Sequence, residues 1–213
     1  VKKINFSFYF ILVGSLLPGF LLVIFLALYP QPADFSLFHL ITNYKNDVLE
    51  TAAGYGIEPK FWIPYYNLLL ILLFTTFGRR FYRVMFGALA LIFVVYFIAH
   101  WSTLFGFADN AYFNPSKLSS LEIGRLKKWS LFSYQHIALV FAIATYLSIL
   151  LGDYYNWYKV LFFLSAFLVF FSCVYSGSIL PFSAFTACFI GNITACLLCP
   201  FYVQKFIYPE NEQ

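Results

Sequence analysis

Few residues of this chain are equipped for chemistry, and they are not scattered evenly. His136 lies in "FSYQHIALVFAIATYL", just after a stretch holding Lys117, Arg125, Lys127 and Lys128. His100 sits in "IAHWSTLFG", and "SCVYSGSILP" gathers Ser172, Tyr175, Ser176 and Ser178. Imidazole exchanges protons near neutral pH, and hydroxyls hydrogen-bond to phosphate and other oxygen groups. Polar groups of this kind are expensive within an apolar chain, so their positions mark a candidate polar pocket. The alternative for His136 is structural, an interfacial residue at the start of a membrane helix.

The cysteines carry less. Cys173, Cys188, Cys196 and Cys199 all fall in or beside apolar runs, and Cys196 and Cys199 spell C-L-L-C-P. A zinc or redox site needs two further ligands and a polar shell, and no second pair exists. They read as small packing residues. The expected cofactor and metal content is none.

The surrounding sequence must position these groups in lipid. Of 213 residues, 62% are hydrophobic, 23% aromatic and only 10% charged. The mean hydropathy is +0.79. Soluble domains carry about a quarter charged residues, so the chain reads as one integral membrane domain over 1–213. A net charge of +4 is too small to suggest nucleic acid.

A bilayer core about 30 Å thick takes roughly 20 apolar residues per helix. Six segments fit: Asn5–Tyr29, 61–78, 84–107, 129–151, 157–175 and 179–202. The first is too long for a signal-peptide core and "LALYPQP" offers no small-residue cleavage site, so it reads as an anchor. Between the first two, Phe35, Leu37, Phe38, Leu40 and Ile41 suit a short helix lying in the interface beside His39. The expected fold is therefore all-α, a polytopic bundle of six transmembrane helices with one short interfacial helix. Placing the termini inside puts seven cations within (Lys2, Lys3, Arg79, Arg80, Arg83, Lys159, Lys205) against six outside. The inner connections are also shorter, which favours this orientation in a plasma or inner membrane. His100, His136 and "SCVYSGSILP" then share the outer face.

"FSYQHIAL" resembles the second motif of the type-2 phosphatidic-acid phosphatase superfamily, F-P-S-G-H-x-A. "SCVYSGSILPFSAFTACFIG" is similar in frame to its third motif, S-R-x-x-x-G-x-H-x-x-x-D, through Ser172, Tyr175, Gly177, Pro181 and Gly191. The resemblance covers roughly residues 60–200. It implies a lipid-phosphate site in which a third-motif histidine attacks phosphorus, an aspartate orients it and the second-motif histidine protonates the leaving oxygen. Here those third-motif positions hold Ile179 and Ser183, and the arginine position holds Cys173. The first motif, a lysine followed by Arg-Pro, is absent. Of the chemical residues only His136 remains.

The expected function is thus a non-catalytic, phosphatase-like membrane protein that binds a lipid headgroup or serves as an accessory subunit. Its partners would be membrane lipids, anionic or phosphorylated, with a protein partner in the membrane as a further expectation. His136 is the one candidate catalytic residue, and His100, Tyr134, Tyr175, Ser176 and Ser178 are candidate ligand contacts. His136 should lie within hydrogen-bonding reach of Tyr175–Ile179. A second reading is an enzyme with rebuilt chemistry, using His136 with Tyr134, Tyr175 or Ser172. A third is a redox subunit with His100 and His136 as haem ligands or quinone contacts.

Overall fold

A computed structural model describes residues 46–104, 120–151 and 156–207, with positions 36, 38, 40 and 41. The Asn5–Tyr29 segment, His39 and the cations Lys45 and Lys117 lie outside the described residues. So do the side chains of Arg125, Lys127 and Lys128. Everything regular among the described residues is helical.

Helix α1 (Asp47–Ile57) starts where its sequence caps it. Asn46 Oδ1 accepts the Val48 amide at 2.9 Å, and Asp47 and Glu50 put negative charge at the first turn. Glu58 is extended, as a residue before proline tends to be, and Pro59 opens α2 (Pro59–Phe77). Positions 36, 38, 40 and 41 are helical too, as the sequence predicts, whereas α1 itself was not foreseen.

Gly78, with φ of 47°, leads a short 3₁₀ turn, Gly78–Arg80, into α3 (Phe81–Leu104). The Phe74 and Phe81 rings meet across this turn at 5.4 Å. Helices α4 (Ser120–Leu151), α5 (Asn156–Tyr175) and α6 (Pro181–Tyr202) follow, and a π-helical turn, Val203–Ile207, continues α6.

Hydrogen bonds between helices give their directions. Ser102, near the end of α3, bonds Tyr134 in the first half of α4, while Tyr146 late in α4 bonds Val84 early in α3. Tyr202 at the end of α6 bonds Arg83 at the start of α3. Tyr65 in α2 bonds Ser165 in α5, and Gly56 at the end of α1 lies against Ser172 near the end of α5. Helices α2 to α6 therefore alternate in direction, with the Arg79–Arg83 turn at one end and the Ser102, Tyr134 and Ser178 region at the other.

Four stretches are long and apolar enough to cross a membrane: Lys60–Ser102, Ser130–Leu151, Trp157–Tyr175 and Pro181–Tyr202. The first, 43 residues, runs through nearly all of α2 and α3. Phe86, Leu89, Phe93 and Phe97 on α3 and Leu164, Phe167, Leu168 and Phe171 on α5 are exposed. Large apolar faces of this kind suit a lipid environment. The chain is a membrane protein.

α4 is the axis of the bundle, packed against α6, α5 and α3. Tyr134, Ile137, Ala138, Ala142, Tyr146 and Leu151 are almost fully buried along it. In lipid, helices gain little from hydrophobic exclusion and instead rely on close packing and hydrogen bonds. Both occur between α4 and α6. Thr145 Oγ1 donates to Asn192 Oδ1 at 2.7 Å. Gly191 lies so close to the Ala138 carbonyl that a Cβ there would collide with it.

Candidate functional site

The polar residues singled out in the sequence converge at one end of the bundle, where α5 stops and α6 starts. α5 ends in a glycine-dependent turn. Gly177, with φ of 71°, lets its own amide reach the Val174 carbonyl and the Ser178 amide reach the Cys173 carbonyl, at 3.0 and 3.1 Å. This is the Schellman pattern, which places a left-handed residue just past a helix. The serines reinforce it. Ser178 Oγ donates to Cys173 O at 2.7 Å and Ser176 Oγ to the same oxygen at 3.0 Å.

α4 joins this turn through Ser133, whose hydroxyl donates to Ser178 Oγ at 2.9 Å. The two stretches compared with phosphatase motifs are thus in direct contact. Tyr134 faces the other way, toward α3, where Ser102 Oγ bridges the Ala99 carbonyl at 2.8 Å and the Tyr134 hydroxyl at 3.1 Å. His100, on the same helix, is exposed.

Tyr175 is tied to the segment before α1, for its hydroxyl accepts the Asn46 amide at 3.2 Å. Phe38 is fully buried, and its ring tip lies 3.6 Å from where a Gly177 Cβ would stand. Phe38 and Asn46 therefore both lie against the end of α5 and its turn.

His136 departs from expectation in one respect. Its Nε2 is buried and, among the described residues, finds no hydrogen-bond partner. The bond that links α4 to the Tyr175–Ile179 segment comes from Ser133, one turn earlier. The His136 ring instead stacks on Phe132, centroids 5.7 Å apart and planes 7° from parallel.

At the positions where the phosphatase frame would hold its reactive groups, Cys173, Ile179 and Ser183 are all buried. Neither isoleucine nor an enclosed serine offers the nucleophile and orienting carboxylate that the mechanism needs. Among the described residues, no group of three or more His, Cys, Asp or Glu side chains is arranged to hold a metal ion.

Sequence reasoning passed over a second feature. A cleft between α2, α4 and α5 is lined by Trp62, Tyr65, Leu69, Val140, Ala144 and Val169, among others. Its polar contacts are internal. Tyr65 Oη is 3.2 Å from Ser165 Oγ, and Trp62 Nε1 donates to the Gly56 carbonyl at 2.8 Å. A contact between α2 and the α4–α5 pair leaves no sequence signal, because its residues look like any other lipid-facing aromatics. No family model, curated protein or solved structure matches the chain.

Proposed function

We propose that this protein is a non-catalytic membrane protein that holds a lipid through the polar end of its bundle, in a plasma or inner membrane. The observation that carries the reading is the buried, unpartnered Nε2 of His136. A buried polar atom left without a partner costs about 1–3 kcal/mol. A bound molecule that pairs with it removes that cost, and lipid is the solvent that surrounds a membrane bundle.

The phosphatase resemblance is kept here as a proposal about ancestry and frame, not chemistry. Contact between Ser133 and Ser178 supports it, and Ile179 and Ser183 argue against turnover. In the proposed topology, α2 to α6 each cross once and Asn5–Tyr29 supplies a sixth crossing. Both termini then lie in the cytoplasm, on the side of Arg79, Arg80 and Arg83.

Two assays on the purified protein test this reading. Mass spectrometry of the extracted protein should find a co-purified lipid, and phosphatidic acid should release no phosphate above background. Phosphate release that is lost in His136→Ala would replace the reading with an enzyme of rebuilt chemistry. Protein free of lipid would remove its basis.

A further inference from the structure

The end of the bundle opposite the Ser133–Ser178 contact is basic. Gly78, with φ of 47°, turns the chain there, and Arg79, Arg80 and Arg83 fall within five residues around it. Arg79 is exposed, and Arg80 and Arg83 are half-buried. The turn is fastened to the end of α6. Arg83 Nη1 donates to the Phe206 carbonyl at 3.2 Å, and Tyr202 Oη donates to the Arg83 carbonyl at 2.7 Å. Lys159, in the first turn of α5, adds a cation at this end. The carboxylates whose side chains are described, Asp47, Glu50 and Glu58, all stand at the other end, in and just after α1.

The depth of the arginines follows from what flanks them. No charged residue occurs from Phe61 to Phe77 or from Val84 to Ala99, so the turn is a charged break between two apolar crossings. An arginine is costly in hydrocarbon, which puts the turn at the headgroup layer. Tyr82, Trp157 and Tyr158 stand at the same end, as tyrosine and tryptophan do at that layer. Next to the turn on the apolar side, Phe74 and Phe86 are exposed.

Cations above an exposed apolar wall complement a phospholipid of net negative charge. A guanidinium fork matches phosphate oxygens two N–H bonds at a time. Like charges crowded into one turn repel, and a bound anion offsets that repulsion. A zwitterionic phospholipid brings its own ammonium group and offsets less of it.

We propose that the α2–α3 turn is a docking site for an anionic phospholipid, its phosphate held by Arg79 and Arg80 and an acyl chain laid along Phe74 and Phe86. Arg83 is a positioning residue, since its bond to Phe206 holds the start of α3 against the end of α6. The site lies at the opposite end of the bundle from His136, so either lipid contact can fail without the other.

The test uses the full chain in a neutral detergent, with dihexanoyl phosphatidylglycerol and dihexanoyl phosphatidylcholine as probes. Apparent affinities come from the rise in unfolding temperature with lipid concentration. Phosphatidylglycerol should bind roughly twentyfold more tightly, about fivefold for each arginine. Arg79→Gln should cut that preference roughly fivefold, whereas Lys60→Gln, an equal loss of charge at the other end, should leave it unchanged. Equal affinity for the two lipids in the unsubstituted protein overturns the proposal without relying on any variant. Equal effects of Arg79→Gln and Lys60→Gln would reduce it to attraction by net charge and overturn it too. Inorganic phosphate at constant ionic strength should not displace phosphatidylglycerol, and displacement would assign the arginines to a free anion instead.

Discussion

Replacing Gly191 by alanine adds one carbon where α6 meets the backbone of α4. The new Cβ would collide with the Ala138 carbonyl oxygen and lie only 3.0 Å from its carbon. The obstacle is helix backbone, which cannot rotate away as a side chain can, so α4 and α6 must separate. Overpacking of this kind costs about 1–3 kcal/mol. The intrinsic helix preference of Ala over Gly returns up to about 1 kcal/mol. A net loss of up to about 2 kcal/mol remains, which for a chain of this size lowers Tm by up to roughly 8 °C. Thermal unfolding in detergent, followed by helical circular dichroism, measures it. Gly54→Ala is the control, because Gly54 is exposed on α1 with nothing within 4 Å of the added carbon. That variant should melt at or above the parent temperature. If Gly191→Ala did the same, the close α4–α6 contact would be refuted.

The Ser133–Ser178 bond should appear in a double-mutant cycle. Ser133→Ala and Ser178→Ala should couple by about 0.5–1.5 kcal/mol in unfolding free energy, and zero coupling would contradict the 2.9 Å contact. Gly177→Ala, forced to a φ of 71°, should destabilise the protein by about 1–2 kcal/mol in the same assay. Topology is read by labelling with an impermeant thiol reagent on intact cells. Cysteines placed at the exposed residues Glu58 and Arg79 should react from opposite sides, Glu58→Cys from outside. Labelling of both from the same side would contradict the alternating directions of the helices.

How much of this could be read from the sequence depends on which physical signal each element carries. The segments expected at 157–175 and 179–202 match α5 and α6 within two residues, because continuous apolar composition and helical structure begin and end together there. α4 starts at Ser120, nine residues before the expected 129. Its first turns carry Glu122, Arg125, Lys127 and Lys128, so the backbone is helical before the sequence turns apolar. α1 was not anticipated because "TAAGYG" holds two glycines, which lower helix preference. Packing overrides that preference, for Gly56 fits against Ser172 where any Cβ would not.

At the site, the meeting of the two motif-like stretches was legible from their placement on a common face. Which residue makes the bond was not, since Ser133 and His136 are one turn apart and only the rotation of α4 decides between them. The cleft was illegible for a different reason, as lipid-facing and cleft-facing aromatics have the same composition.

The central claim is that the unpartnered His136 marks a lipid site rather than a defect of packing. Native mass spectrometry of the protein released from gentle detergent tests it most directly. One lipid should stay bound per chain at activation energies that strip bulk lipid, and His136→Phe should release it at lower energy. A chain that emerges bare, or an adduct equally stable with phenylalanine at this position, would contradict the account.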